Sequence, residues 1–344
     1  MLDALGIACW EGVGREDLRR LLRNNTASEA VAILGREIPS GRPDEGTVEG
    51  LAGTCEELGI ETLVYQREGY PEILLTIPDP PAVLFYRGDM DSFLEMPSVA
   101  VIGSRRCTRY GRNVARKLAG DFARSGVAVV SGLARGIDGE AHRGAVDAGG
   151  VSAAVLGNGP DVVYPPEHDR LTAAILEKGV IISEYPPGTQ PARYRFPERN
   201  RLISGLSRGV VVVEAGKRSG TMITVNTALD QGRDVFAVPG EVTRALSMGT
   251  NMLLRDGAGV VITAADVLEP LGLADESFAS EKEPYRPESS LGRAIVAALA
   301  EGPVHFDRLL RGTEAGYAAL QSELMKLEMA GAVVQLPGKF YELA

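Results

Sequence analysis

The apolar run Ser98-Val99-Ala100-Val101-Ile102 leads straight into Gly103-Ser104-Arg105-Arg106-Cys107-Thr108-Arg109-Tyr110-Gly111, and from 112 to 124 the pattern turns helical. A run without polar alternate positions reads as a strand buried on both faces. Val114, Leu118 and Phe122 then share one helical face, with Arg112, Arg116, Lys117 and Arg124 on the other. Working outward, similar runs recur at near-regular intervals at 127–130, 151–156, 180–182, 210–213, 235–238 and 260–262. Each gap holds a segment compatible with a helix. Strands of this kind joined by helical crossovers imply a doubly wound parallel sheet, a Rossmann-like α/β core.

Charge is distributed unevenly over the 344 residues, whose net charge is −10. Residues 1–97 hold 8 Lys/Arg against 18 Asp/Glu, a net of −10; residues 98–208 hold 16 against 10, a net of +6; residues 209–344 hold 12 against 18, a net of −6. The acidic total argues against nucleic acid, yet the basic middle gathers anion attraction in one place, unless it is only a surface excess of arginine. The 3 cysteines, Cys9, Cys55 and Cys107, have no paired spacing, so reduced thiols are expected rather than disulfides or a zinc site. Met1-Leu2-Asp3-Ala4 lacks the layout of a signal peptide and no apolar run is long enough for a membrane span, so a cytoplasmic location is expected.

The organisation expected is a small helical domain over 1–75, the Rossmann-like domain over 76–273, a linker over 274–290 and a winged helix over 291–344. Gly12-Val13-Gly14 feeds an amphipathic helix, as in a helix-hairpin-helix or sterile-alpha-motif-like unit, or in a plain helical cap. Residues 38–50, rich in Gly, Pro and acids, read as a loop. The tail reads as helices at 291–299, 305–310 and 315–330, then a hairpin turning at Pro337-Gly338. Its 5 Lys/Arg against 6 Asp/Glu fit duplex binding poorly and suit a regulatory or protein contact better.

Three segments carry candidate chemistry. Gly103, Ser104, Arg105, Arg106 and Arg109 stand at a strand-to-helix junction, where backbone N–H groups and the positive helix end favour phosphate. The loop is not Gly-x-Gly-x-x-Gly and no ribose-binding acid follows the second strand, so no cofactor is expected. A solvated basic turn is the alternative. The second segment is Arg193, Tyr194, Arg195, Phe196, Arg199, Asn200 and Arg201, where cations for phosphates interleave with rings for unpaired bases. Pro197 at the helix start allows part of this group to serve only the helix entry. The third, Ser219, Gly220 and Thr221, opens another helix after a strand and offers a second phosphate cradle near the first.

Catalytic readings are weaker. Asp138 and His142 lie one helical turn apart but lack further metal ligands, so a pinned helix and a packed imidazole are expected. Ser104 and Ser131 have no nucleophile elbow. Cys107 sits beside arginines that would lower a thiol pKa, though a small turn residue explains it as well.

Taken in order, these motifs resemble the DprA/Smf family, DNA processing protein A. The resemblance runs through Tyr70-Pro71, Pro80-Pro81, the Gly-Ser-Arg loop at 103–105, Ser131-Gly132-Leu133-Ala134-Arg135-Gly136-Ile137-Asp138, Ala141-His142 and Val155-Leu156-Gly157. It continues through Tyr164-Pro165, Ile182-Ser183-Glu184, Phe196-Pro197-Glu198-Arg199-Asn200-Arg201, Val213-Glu214-Ala215, Ser219-Gly220-Thr221, Val238-Pro239-Gly240 and Gly257-Ala258. It implies a homodimer, not an enzyme, that binds single-stranded DNA in a basic pocket including Arg105. It also implies loading of the recombinase RecA in natural transformation, displacing or bypassing single-strand-binding protein. The sequence departs from the family at Tyr164-Pro165-Pro166-Glu167-His168, where members often carry a basic residue and an Asn; Arg170 is the nearest substitute. A LOG-like nucleoside-monophosphate phosphoribohydrolase is similar in outline, but its glycine pair and catalytic acid are missing at 214–221.

Overall fold

A computed structural model describes residues 1–274, 287, 289–300, 302–313, 315–329 and 332–343. Residues 1–274 form one compact unit, and the described residues from 287 onward belong to a second.

The first unit is built on a sheet of β1 (Ile60–Val64), β2 (Val83–Gly88), β3 (Ser98–Ile102), β4 (Ala128–Ser131), β5 (Ser152–Leu156), β6 (Val180–Ser183), β7 (Gly209–Val212), β8 (Asp234–Ala237) and β9 (Gly259–Val260), in the order β1-β2-β6-β5-β4-β3-β7-β8-β9. The seven apolar runs supply β3 to β9, which are parallel to one another. Their residues alternate between two cores. Ala100, Ile102, Val130 and Val155 belong to one, while Val99, Val101, Val129 and Val211 belong to the other, so both sheet faces are covered.

The sheet is mixed rather than wholly parallel. β2 pairs antiparallel with β6, and β1 antiparallel with β2. The half-polar surface of β1 suits an edge; Tyr86 on β2 donates its hydroxyl to Glu61 at 2.6 Å. Residues 1–75, expected as a helical domain, contain β1, and Leu5, Trp10 and Leu22 share one core with Leu84 and Phe85. Packing has no break at 75. The loop expected over 38–50 ends early, because Asp44 accepts the Thr47 N–H at 3.0 Å and starts the helix Glu45–Leu58.

From β3 the chain winds outward through β4, β5 and β6, then crosses back to β7, β8 and β9. The boundary between β3 and β7 is therefore the topological switch point, and the loops after both strands meet at the carboxyl edge.

The second unit packs helices Ser290–Leu299, Phe306–Gly312 and Tyr317–Met329 around Ile295, Leu309, Leu320 and Leu324. Its antiparallel sheet has the order β10 (Val304–His305), β12 (Phe340–Leu343), β11 (Val333–Leu336), which completes a winged helix. The short β10 is not legible in the sequence. The linker expected at 274–290 lies outside the described residues apart from Ala274, Pro287, Ser289 and Ser290.

Candidate nucleic-acid interface

The helix after β3 spans Arg109–Arg124, one turn earlier than its apolar pattern suggests, because Thr108 caps it. A carboxylate of the chain already sits at its N-terminal cap. Glu214, at the end of β7 and 2% exposed, accepts the Thr108 N–H at 2.8 Å and the Thr108 hydroxyl, and Thr108 Oγ1 accepts the Gly111 N–H at 3.1 Å. A Cβ at Gly111 would collide with that carboxylate. The Ser104 N–H is also taken, donating to the Glu214 carbonyl at 2.8 Å. The N–H groups of Ser104, Thr108 and Gly111 at this junction are thus bonded within the chain, and Glu214 sets a carboxylate there.

The third segment is likewise turned inward. Ser219 donates its hydroxyl to Thr221 Oγ1 at 2.8 Å and accepts the Thr221 N–H at 3.1 Å, closing the start of the helix Thr221–Asp230; Gly220 stays exposed. What the two loops present is side-chain charge. Arg105, Arg106, Arg109, Lys217 and Arg218 are all exposed around the switch point.

The rings and cations meet beside it, over β4 and β5. Arg105 lies over the Phe196 ring, 5.0 Å from its centroid, and Phe196 stacks on Tyr164 with centroids 5.8 Å apart. Gly157 lets Phe196 approach, since a Cβ there would come within 3.1 Å of the ring. With Gly132, Ala134, Arg135, Pro165 and Arg199 these residues line a cleft of about 40 Å³. Arg135 is paired with Glu167, so the family departure at 166–168 brings an acid that neutralises one cation of the cleft. Cation and stacked rings remain.

Other residues of the second segment divide by role. Arg193 and Tyr194 are exposed, the latter 61%, while Arg195 spans the Tyr185 and Tyr194 rings at 5.1 and 5.3 Å and Asn200 is half-buried. The helix begins at Arg195, ahead of Pro197. Arg199 is buried under the cleft, donating to the carbonyls of Gly132 (2.8 Å) and Val155. Arg201 is also buried, tied to Asp79 at 3.0 Å and Glu184 at 2.7 Å in a cluster that Arg15 and Arg19 join from the helix Arg15–Asn24. Arg199 and Arg201 thus build the site from behind.

The loop 132–135 is held by buried polar groups. Leu133 sits in the left-handed region, φ 54°, where a branched side chain is strained. Its N–H donates to His142 Nε2 at 3.2 Å, and its carbonyl accepts from His168 Nδ1 at 3.0 Å. His142 Nδ1 then donates to Ser152 Oγ at 2.8 Å. Asp138 accepts the Gly132 N–H at 3.2 Å; burial raises its carboxyl and the charges of Arg199 and Arg105 oppose that. Burial pushes the Cys107 thiol up, so its neighbouring arginines do not activate it.

Burial also lowers His142 from 6.5 to about 3, helped by His168 and Arg199. Below pH 6.5 the unfolded chain binds a proton that the fold refuses, so stability falls with pH across that window. The loss expected by pH 5 is about 2 kcal/mol relative to neutrality. Urea unfolding of wild type and His142→Gln at several pH values checks this. The difference between them separates His142 from Asp138, whose raised carboxyl acts with the opposite sign, and an identical pH dependence in both would contradict a neutral buried imidazole.

The family model for DNA recombination-mediator protein A matches residues 61–272, more than half of the chain, and the DprA winged helix domain matches residues 279–339. The chain belongs to the DprA/Smf family. Protein Smf of Escherichia coli is 39% identical over 283 residues, covering 80% of this chain and 75% of that protein. DNA processing protein DprA of Streptococcus pneumoniae is 46% identical over 199 residues, covering 58% and 70%. The X-ray structure of the S. pneumoniae protein aligns with a TM-score of 0.67 at 34% identity, over 78% of this chain and 97% of that one. A structure of DNA processing protein A from Helicobacter pylori, which addresses its single-stranded DNA binding mode, aligns at 0.56 and 30%, covering 62% and 95%. DprA/Smf members are recombination mediators rather than enzymes. No helix among the described residues is long and apolar enough to cross a membrane.

Tyr164, Arg135 and Glu214 appear in the sequence reading only within the family motifs, not among the candidate contact residues. Tyr164 could have been found as an aromatic beside prolines in a loop that follows a strand. Glu214 had a signal too, an acid at a strand end facing a loop with no Gly-x-Gly.

Proposed function

We propose that the chain binds single-stranded DNA along the carboxyl edge of the sheet, protects it and loads RecA onto it as a cytoplasmic homodimer. The observation that carries this reading is Arg105 set over Phe196, itself stacked on Tyr164, beside loops that present Arg106, Arg109, Lys217 and Arg218. Rings that can stack on bases and unpaired cations for phosphates suit a flexible single strand, whose bases are open; a duplex hides them. The single-stranded DNA binding mode described for the H. pylori relative supports the same assignment. Single-strand-binding protein, which covers such strands, is the competitor the chain would displace or bypass. Gel shifts with single strand, blunt duplex and mononucleotide as competitors test the reading. Single strand should compete strongly and with little sequence preference; equal competition by duplex would refute it, and release of free base from a nucleoside monophosphate would favour the LOG-like enzyme.

Dimerisation through the first unit is supported by the exposed edge of the sheet, where Val260 is 50% and Ile262 78% exposed next to Leu229 at 58%. Apolar groups left in water at an edge strand invite a second copy. A chain ending at Ala274 should remain dimeric by light scattering at micromolar concentration. It should also lose less than about tenfold in single-strand affinity, some 1.4 kcal/mol. Monomers, or a larger loss, would assign those roles to the acidic tail.

A further inference from the structure

On the other side of Glu214 from the Arg105 cleft, the carboxyl edge carries a second opening of about 500 Å³. That volume is ordinary for a small-molecule or base site. Tyr110 lines it, 49% exposed, with its hydroxyl donating to the Pro239 carbonyl at 3.0 Å. The ring is thus tethered in place while one part of it stays open to solvent. The facing wall is fixed as well. Asn251 clasps Gly240, accepting its N–H at 3.1 Å and donating to its carbonyl at 2.9 Å, and a Cβ on Gly240 would strike Ser247. Arg109 and Arg244 stand at the rim. Glu241, the rim acid, is paired with Arg244 at 2.6 Å and bonded by Thr243 at 2.6 Å, and Arg109 forms no ion pair among the described residues.

We propose that this opening is a second stacking station, in which Tyr110 receives a base of the same single strand and Arg109 the adjoining phosphate. A flat, pre-positioned ring with an unpaired cation at its side matches a nucleotide within a strand. The opening continues the loop that carries Arg105 and Arg106, because Thr108 is bonded to Glu214 and Tyr110 lies two residues beyond it. The inference rests on the single-strand reading and adds a direction to it: the strand crosses the switch point from Phe196 towards Tyr110.

The test is a length series of oligothymidylates with the full-length protein, alongside light-induced crosslinking of iodouracil-substituted strands. In Tyr110→Ala, long strands should lose between about fivefold and a hundredfold in affinity, while the shortest strands that bind are unaffected. Tyr110→Phe, which keeps the ring, should retain most of the affinity, and the wild-type crosslink should map to Tyr110. A folded Tyr110→Ala protein with wild-type affinity at every length overturns the proposal. So does an equal loss at every length, or a shift from dimer to monomer without a Tyr110 crosslink, which would make the surface a protein contact. If wild type binds no oligonucleotide, the single-strand reading itself fails; if Arg105→Ala weakens binding and Tyr110→Ala does not, only the second station fails.

Discussion

Arg105→Ala is expected to lower affinity for single strands by about ten- to a hundredfold at every base composition, the range for one charged contact of about 1.5–3 kcal/mol. It also flattens the dependence of log affinity on log salt by about 0.7, because one phosphate fewer releases its counterion. Arg105 is exposed and its guanidinium rests on the Phe196 ring, so its removal leaves the core intact and the melting temperature nearly unchanged. Phe196→Ala behaves differently. Loss of a stacking face costs about 1–3 kcal/mol while the salt slope stays as it was. This variant also forfeits the contact with Tyr164, so its melting temperature falls. Binding isotherms at several salt concentrations, paired with thermal melts, separate the two. An unchanged slope in folded Arg105→Ala would remove this loop from the path of the strand.

Arg199→Ala acts on the fold. Arg199 is 3% exposed, its guanidinium holds the Gly132 and Val155 carbonyls, and its charge is the largest influence opposing burial on Asp138. Leaving those two buried carbonyls without their donor typically costs about 1–3 kcal/mol for each group, and a loss of that order is expected in urea unfolding. Lys at 199 restores little, because a single ammonium cannot reproduce the planar fork. Replacing both groups, Arg199→Met with Asp138→Asn, should cost less than the sum of the single changes. Additive losses would show that the two charges do not depend on one another.

The core was legible because buried parallel strands leave a plain trace: each continuous Val/Ile/Ala run from 99 to 238 became a strand of β3 to β8, while the run at 260–262 gave only the exposed edge at Val260. The antiparallel edge was less so, since β1 mixes Glu61 and Thr62 with apolar residues and resembles the end of a helix–loop segment. In the candidate site, residue type did not tell orientation. Arg105 and Arg199 look alike as letters, yet one lies in solvent and the other under the floor of the cleft. Arg201 belongs to a network with Asp79, 122 residues away in the chain, which no local spacing encodes. Phe196 and Tyr164 likewise meet only because β5 and the following loop bring them together.

Glu214 has a consequence for selectivity among anions. A carboxylate anchored in the chain beneath the first turn of a helix cannot diffuse away, so its effective concentration exceeds that of any free ligand. A free phosphate would have to displace that carboxylate to reach the Thr108 N–H. A polymer engages instead through many separate side chains, each weak and all additive along its length. The internal carboxylate thereby leaves phosphate recognition at this terminus to the exposed side chains, many of which a strand can engage at once.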